Sequence, residues 1–261
     1  MKQLLSYWSF DLSSLVLVLM IVLFGIITKS FSKKSIALSV FILLTICFFS
    51  SLHILSSHYL FSAHMIVHVV LLLCIGPLIV AGLSADQKRF HGFFLFLKRH
   101  PMPSWLTGVG VMWFWHIPLI FNSSMSSMHD NSLHIVPVIE ASSLIIAGVL
   151  FSAPVIHPNK GYRIDALSGV VYLFTACIGC SLLGLLITFA PTGMYQHFLS
   201  MHDNYGLNKI ILRSGITQST DQQAAGLIMW VPCCLIYVTG IMYLLVQWFK
   251  QKEVIALEKQ L

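Results

Sequence analysis

His64-Met65-Ile66-Val67-His68-Val69-Val70-Leu71-Leu72-Leu73-Cys74-Ile75-Gly76-Pro77-Leu78-Ile79-Val80-Ala81-Gly82 runs nineteen residues without Asp, Glu, Lys or Arg, and it opens on two histidines. A bilayer span needs about 20 mainly apolar residues, and this stretch supplies them. His64 and His68 are four residues apart, so in a helix they share one face, roughly 6 Å apart along the axis. Imidazole at the edge of a membrane span is costly without a partner, which makes a functional reading the default.

The rest of the chain agrees with a membrane setting. Of 261 residues, 57% are hydrophobic and 9% charged, with mean hydropathy +0.85; soluble domains carry about 25% charged residues. Seven apolar runs are long enough to span: 12–28, 36–55, 64–82, 106–121, 133–156, 167–190 and 225–249. The expected fold is all-α, a single integral membrane domain over residues 1–261 with seven transmembrane helices and no separate soluble module. The first run lacks a small-residue cleavage site and reads as a retained span rather than a signal peptide.

The basic residues set an orientation. One set of connections holds Lys29, Lys33, Lys34, Lys88, Arg89, Lys98, Arg99, Lys160, Arg163, Lys250, Lys252 and Lys259; the other holds Lys2, Lys209 and Arg213. The positive-inside rule then places the N-terminus outside and the C-terminus in the cytoplasm. Between the second and third basic pairs, Phe90–Leu97 reads as an interfacial helix on anionic lipid. No nucleic-acid partner is expected.

The histidines divide the opposite way. His53, His58, His64, His68, His116, His129, His134, His197 and His202 map to the outer side, while His91, His100 and His157 map inside. Interfacial histidines can simply be hydrated, which accounts for His58, His197 and His202. His64, His68, His116 and His134 come from three spans at one depth, with His53 available from a fourth. Imidazole suits copper, zinc and iron, and thioether selects Cu(I). Met65, Met125, Met128, Met194, Met201 and Met229 lie nearby in sequence and tilt the choice toward copper, though methionine is also a core filler.

Other polar groups leave alternatives open. Glu140 sits within the fifth span, 100–110° from the face of His134, and reads equally as proton relay, remote ligand or structural residue. Thr220 and Gln223 match a capping box, with Asp221 in the first turn of the seventh span. Pro118 frees a carbonyl near His116, which suits a bent pocket. The six cysteines (Cys47, Cys74, Cys177, Cys180, Cys233, Cys234) all fall in spans, so a disulfide framework is not expected. Cys177, Cys180, Cys233 and Cys234 read as small helix-interface residues.

Two other classes compete with copper handling. A b-type haem held between histidines would make the chain an electron-transfer subunit, and a copper permease would need ligands along a transmembrane path.

Several blocks together resemble the polytopic CtaG-type cytochrome c oxidase assembly factors. They are His64-Met65-Ile66-Val67-His68 with Gly76-Pro77-Leu78, then Trp113-Phe114-Trp115-His116-Ile117-Pro118. Leu186-Ile187-Thr188-Phe189-Ala190-Pro191 follows, and then Asp221-Gln222-Gln223-Ala224-Ala225-Gly226-Leu227-Ile228-Met229-Trp230-Val231-Pro232. The resemblance runs from about Ser50 to the end of the last span. It implies a non-enzymatic role in building haem–copper oxidases in the bacterial plasma membrane, through copper insertion. Its partners would be oxidase subunits and a periplasmic copper donor. The matching site positions are His64, His68, His116, His134 and Asp221, with Asp221 orienting an imidazole from behind. Cys233 and Cys234 depart from the pattern, and Glu140 has no place in it.

Metal ligation needs neutral imidazole, so binding is expected to weaken below roughly pH 6.

Overall fold

A computed structural model describes residues 15, 18, 19, 34–85, 90–126, 135–195, 203 and 206–258. Among these the chain is entirely helical, without strands. The helices are α1 (Lys34–Phe49), α2 (Ser51–His58), α3 (Phe61–Gly82), α4 (His91–Arg99), α5 (Pro101–Trp115), α6 (Pro118–Ser126), α7 (Ile135–Ile156), α8 (Ala166–Phe189), α9 (Asn208–Arg213) and α10 (Gln218–Glu258). The run at 12–28 lies almost wholly outside the described residues, as do His129, His134, His197 and His202.

Four helices, α3, α7, α8 and α10 as far as Glu253, are long and apolar enough to cross a membrane, and two bent pairs raise the number to six. The runs at 36–55 and 106–121 are each broken; the bend near Pro118 is expected from the sequence, the one at Ser50 is not. α1 and α2 meet at 50°. Ser50 makes that joint, its hydroxyl donating to Ile46 O at 2.6 Å and accepting from Leu52 N at 3.1 Å. It thus closes one helix and caps the next. α5 and α6 meet at 69°, where Pro118 cannot donate the N–H that would continue α5. At this joint His116 O accepts from the Tyr195 hydroxyl at 3.0 Å.

α3 is not uniform. Val70–Ile75 forms a wide π turn just after His68, ahead of Pro77, which has no N–H to close the ordinary turn. The second half of α3 then packs on α7 backbone to backbone. A Cβ on Gly76 would lie 2.5 Å from Gly148 C, and one on Gly148 would lie 2.3 Å from Leu72 O. Only glycine permits that approach.

α8 and α10 pack along most of their length, with the same device at Gly184 and Gly226. Cys177 Sγ lies 3.4 Å from Cys234 Sγ in this seam, and all six thiols are free. Trp113 Nε1 donates to Gly179 O at 3.2 Å and Trp115 Nε1 to Ser143 Oγ at 2.8 Å. Beyond the packing expected of them, these aromatics bond across helices.

At the far end, α4 docks Phe94 and Leu97 against Val80, Leu83, Ala153 and Tyr162. It leaves Phe93 and Phe96 exposed beside Lys98 and Arg99. That amphipathic split is what an interfacial helix requires.

Candidate metal centre

One rim of the bundle gathers the starts of α3, α7 and α10 and the ends of α5 and α8. The direction of the helices follows from two contacts. His68 meets Glu140, and eight residues further along each helix Gly76 meets Gly148, so α3 and α7 run parallel. Glu140 comes five residues after Ile135, about 7.5 Å into α7, which brings its carboxylate level with the first turns of α3.

His68 Nε2 is 3.1 Å from Glu140 Oε1, and His64 Nε2 is 3.6 Å from the same oxygen. One donor atom from each of His64, His68 and Glu140 falls within 4.8 Å of the others, and all three residues are buried. The two imidazole centroids are 4.2 Å apart. His116 joins from α5, its ring 5.1 Å from that of His68 at 88°. His53 lines the same small cavity as His64, His68 and Glu140, a space of ≈ 50 Å³. That is room for an ion or a water or two.

His116 sits where it does because α5 ends beneath it. Its backbone N–H turns to Trp113 O at 3.1 Å, leaving Met112 O for its own ring, whose Nδ1 donates at 2.5 Å. Above the histidines, Phe61, Phe121 and Tyr195 stack with centroids 4.7–5.2 Å apart. Phe121 also meets His64 edge-on at 5.5 Å. These three rings form an aromatic layer beside the histidines.

Asp221 reaches the backbone of the histidine helix rather than an imidazole. Its carboxylate accepts from Phe61 N at 2.7 Å, from Ser62 N at 3.1 Å and from the Ser62 hydroxyl in a short contact. It is an N-terminal cap supplied from another helix, where a negative charge also meets the helix dipole. Gln222, the next residue, donates to Ile187 O at 3.2 Å and Ala190 O at 2.7 Å, closing the end of α8. The capping pair of α10 itself is Thr217 with Thr220, three residues earlier than the predicted Thr220–Gln223. Thr220 N donates to Thr217 Oγ1 at 3.2 Å, and Thr217 N to Thr220 Oγ1 at 2.8 Å.

Of the residues singled out in the sequence, His64, His68, His116 and His53 come together at this rim, Asp221 holds their helix, and His134 lies outside the described residues. Glu140 was left open by sequence reasoning and is the group on α7 that meets both histidines of α3. The signal for it was an acidic side chain alone in an apolar run. Of the methionines noted in the sequence, Met65 reaches the site, with Sδ 3.0 Å from His116 Nε2.

A family model described as cytochrome c oxidase caa3 assembly factor (Caa3_CtaG) matches residues 33–251. No curated protein and no solved structure matches the chain.

Proposed function

Since the chain belongs to the cytochrome c oxidase caa3 assembly factor family, we propose that it delivers copper to a haem–copper oxidase during assembly. Copper is its cargo, held at the rim and passed to a nascent oxidase subunit in the membrane. The observation that carries this reading is the buried convergence of His64, His68 and Glu140 donor atoms within 4.8 Å. A buried trio of this kind, with no Lys or Arg paired to it among the described residues, supports a metal-binding role.

His64 and His68 are the principal ligands, His116 and His134 complete the set, and His53 borders the same cavity. Asp221 acts on the metal indirectly, by fixing the start of the helix that carries both principal ligands. The role is non-catalytic. The distribution of Lys and Arg supports seven spans in the bacterial plasma membrane, with the N-terminus outside and the C-terminus cytoplasmic. In that frame the site opens to the periplasmic side, where a copper donor and the oxidase subunit can both reach it.

The haem reading is weaker. Histidine rings 4.2 and 5.1 Å apart around a cavity of ≈ 50 Å³ leave no space for a macrocycle. A permease reading gains nothing from Cys177, Cys180, Cys233 and Cys234, which lie on α8 and α10, on different helices from the histidines.

The test is complementation. In cells lacking this gene, His64→Ala and His68→Ala chains that accumulate normally should leave the oxidase without copper and without activity. Full oxidase copper and activity with both variants would refute copper delivery.

A further inference from the structure

We propose that the cargo is bound as Cu(I), with the Met65 thioether and His116 Nε2 as two of its ligands, His68 Nδ1 as the third, and Glu140 acting through His68. This rests on the copper reading above and refines it: it adds an oxidation state and a thioether ligand, and it moves His64 from principal ligand to a neighbour that, like His68, faces Glu140.

His116 Nδ1 lies 2.5 Å from Met112 O. A carbonyl only accepts, so Nδ1 carries the ring hydrogen and Nε2 of the neutral ring carries a lone pair. That lone pair faces Met65 Sδ at 3.0 Å. A thioether has lone pairs and no hydrogen to give. Two acceptors therefore touch in a site where Met65 is 0% and His116 2% exposed.

Either a proton or a metal ion can relieve such a contact. A proton on Nε2 would make a buried imidazolium whose partner is a weak sulfur acceptor. The nearby carboxylate, Glu140, is engaged by His68 and His64 instead. A soft cation suits the pair without that penalty, because thioether sulfur selects Cu(I) among biological metals and imidazole accepts it readily. An ion bonded to both atoms would sit to one side of the 3.0 Å gap between them, which leaves it open to a third ligand.

His68 offers one. Its Nε2 is paired with Glu140 Oε1 at 3.1 Å, and a carboxylate in that position favours the tautomer with hydrogen on Nε2. Nδ1 is then without hydrogen; it is buried and has no hydrogen-bond partner. A ligating histidine whose other nitrogen donates to a carboxylate is the usual arrangement in metal sites. The His68 ring stands at 88° to that of His116, with centroids 5.1 Å apart.

The experiment uses full-length protein in detergent, selenomethionine-labelled, with Cu(I) added under anaerobic conditions and X-ray absorption recorded at the copper edge. A copper–selenium path is expected; it distinguishes methionine from the six cysteines, which keep sulfur. Met65→Leu, which conserves volume, should abolish that path and lower Cu(I) affinity roughly tenfold or more, measured by competition with a chromophoric Cu(I) chelator. Bound copper with nitrogen ligands alone would overturn the thioether assignment and leave copper delivery standing. A sulfur path with no selenium would assign the ligand to a cysteine, Cys47 of the histidine cavity included, also against the proposal. A selenium path that survives Met65→Leu would place the ligand on another methionine, again against it. No Cu(I) bound by the unmodified protein would remove both this proposal and the copper reading.

Discussion

His68 Nε2 and Glu140 Oε1 are 3.1 Å apart, on parallel helices, in a region where neither side chain reaches water. A carboxylate in that position fixes the imidazole's tautomer and raises its basicity as a ligand. Glu140→Gln keeps an acceptor oxygen but removes the charge. Copper affinity of the purified variant should fall about 10–100-fold with little change in expression, and Glu140→Ala should fall further. Unchanged affinity in both variants would leave Glu140 a structural residue.

Asp221 makes three bonds to the first turn of α3 from the start of α10. Removing a charged cap partner that is 8% exposed costs about 2 kcal/mol. Asp221→Ala should therefore lower the thermal midpoint in detergent by several degrees and weaken copper binding in parallel. Asp221→Asn, which can still accept, should lose less of both. A metal ligand would behave differently, losing copper with no change in midpoint.

The contact of Gly76 with Gly148 sets the distance between α3 and α7, and so the reach of Glu140 to the histidines. Gly148→Ala would place a methyl 2.3 Å from Leu72 O. Overpacking of this sort costs about 1–3 kcal/mol, and the helices must separate to relieve it. Size-exclusion yield and copper affinity should drop together. Gly92→Ala, where a Cβ meets nothing within 4 Å, is the matched control and should change neither.

His157 follows the last turn of α7 and is fully buried between Phe94 and Tyr162, with centroids 4.4 and 4.9 Å away. Burial lowers its pKa below the ordinary value. The unfolded chain then binds a proton more readily than the folded one, so stability is full above the unfolded value of about 6.5 and declines as pH falls through it. Thermal midpoints should fall between pH 8 and pH 5.5, and the fall should be smaller in His157→Gln. Equal pH slopes would show that His157 does not contribute to acid sensitivity.

The helices were readable in the sequence because a membrane admits few alternatives: apolar runs near 20 residues must be helical to satisfy their backbone. The joint at His116 was signalled by Pro118, whereas the one at Ser50 was harder to see, since a single side chain makes it without changing the polarity of the run. His64 and His68 were legible from helical spacing alone. Glu140 was not, because which face of α7 points inward depends on the Gly76–Gly148 crossing, a contact between segments 72 residues apart in the sequence. Asp221 looked complete as a cap for its own helix; its carboxylate instead serves α3, and Thr217 caps α10. Tertiary contacts decided both cases.

The central claim is that buried imidazoles from separate helices hold one copper ion. Copper retained by the purified full-length chain after equimolar Cu(I) and desalting, compared with that of His68→Ala, tests it most directly. The account predicts equimolar copper on the unmodified chain and a loss of affinity greater than about tenfold in the variant. Equal retention by the two proteins, or no retention by either, would contradict it.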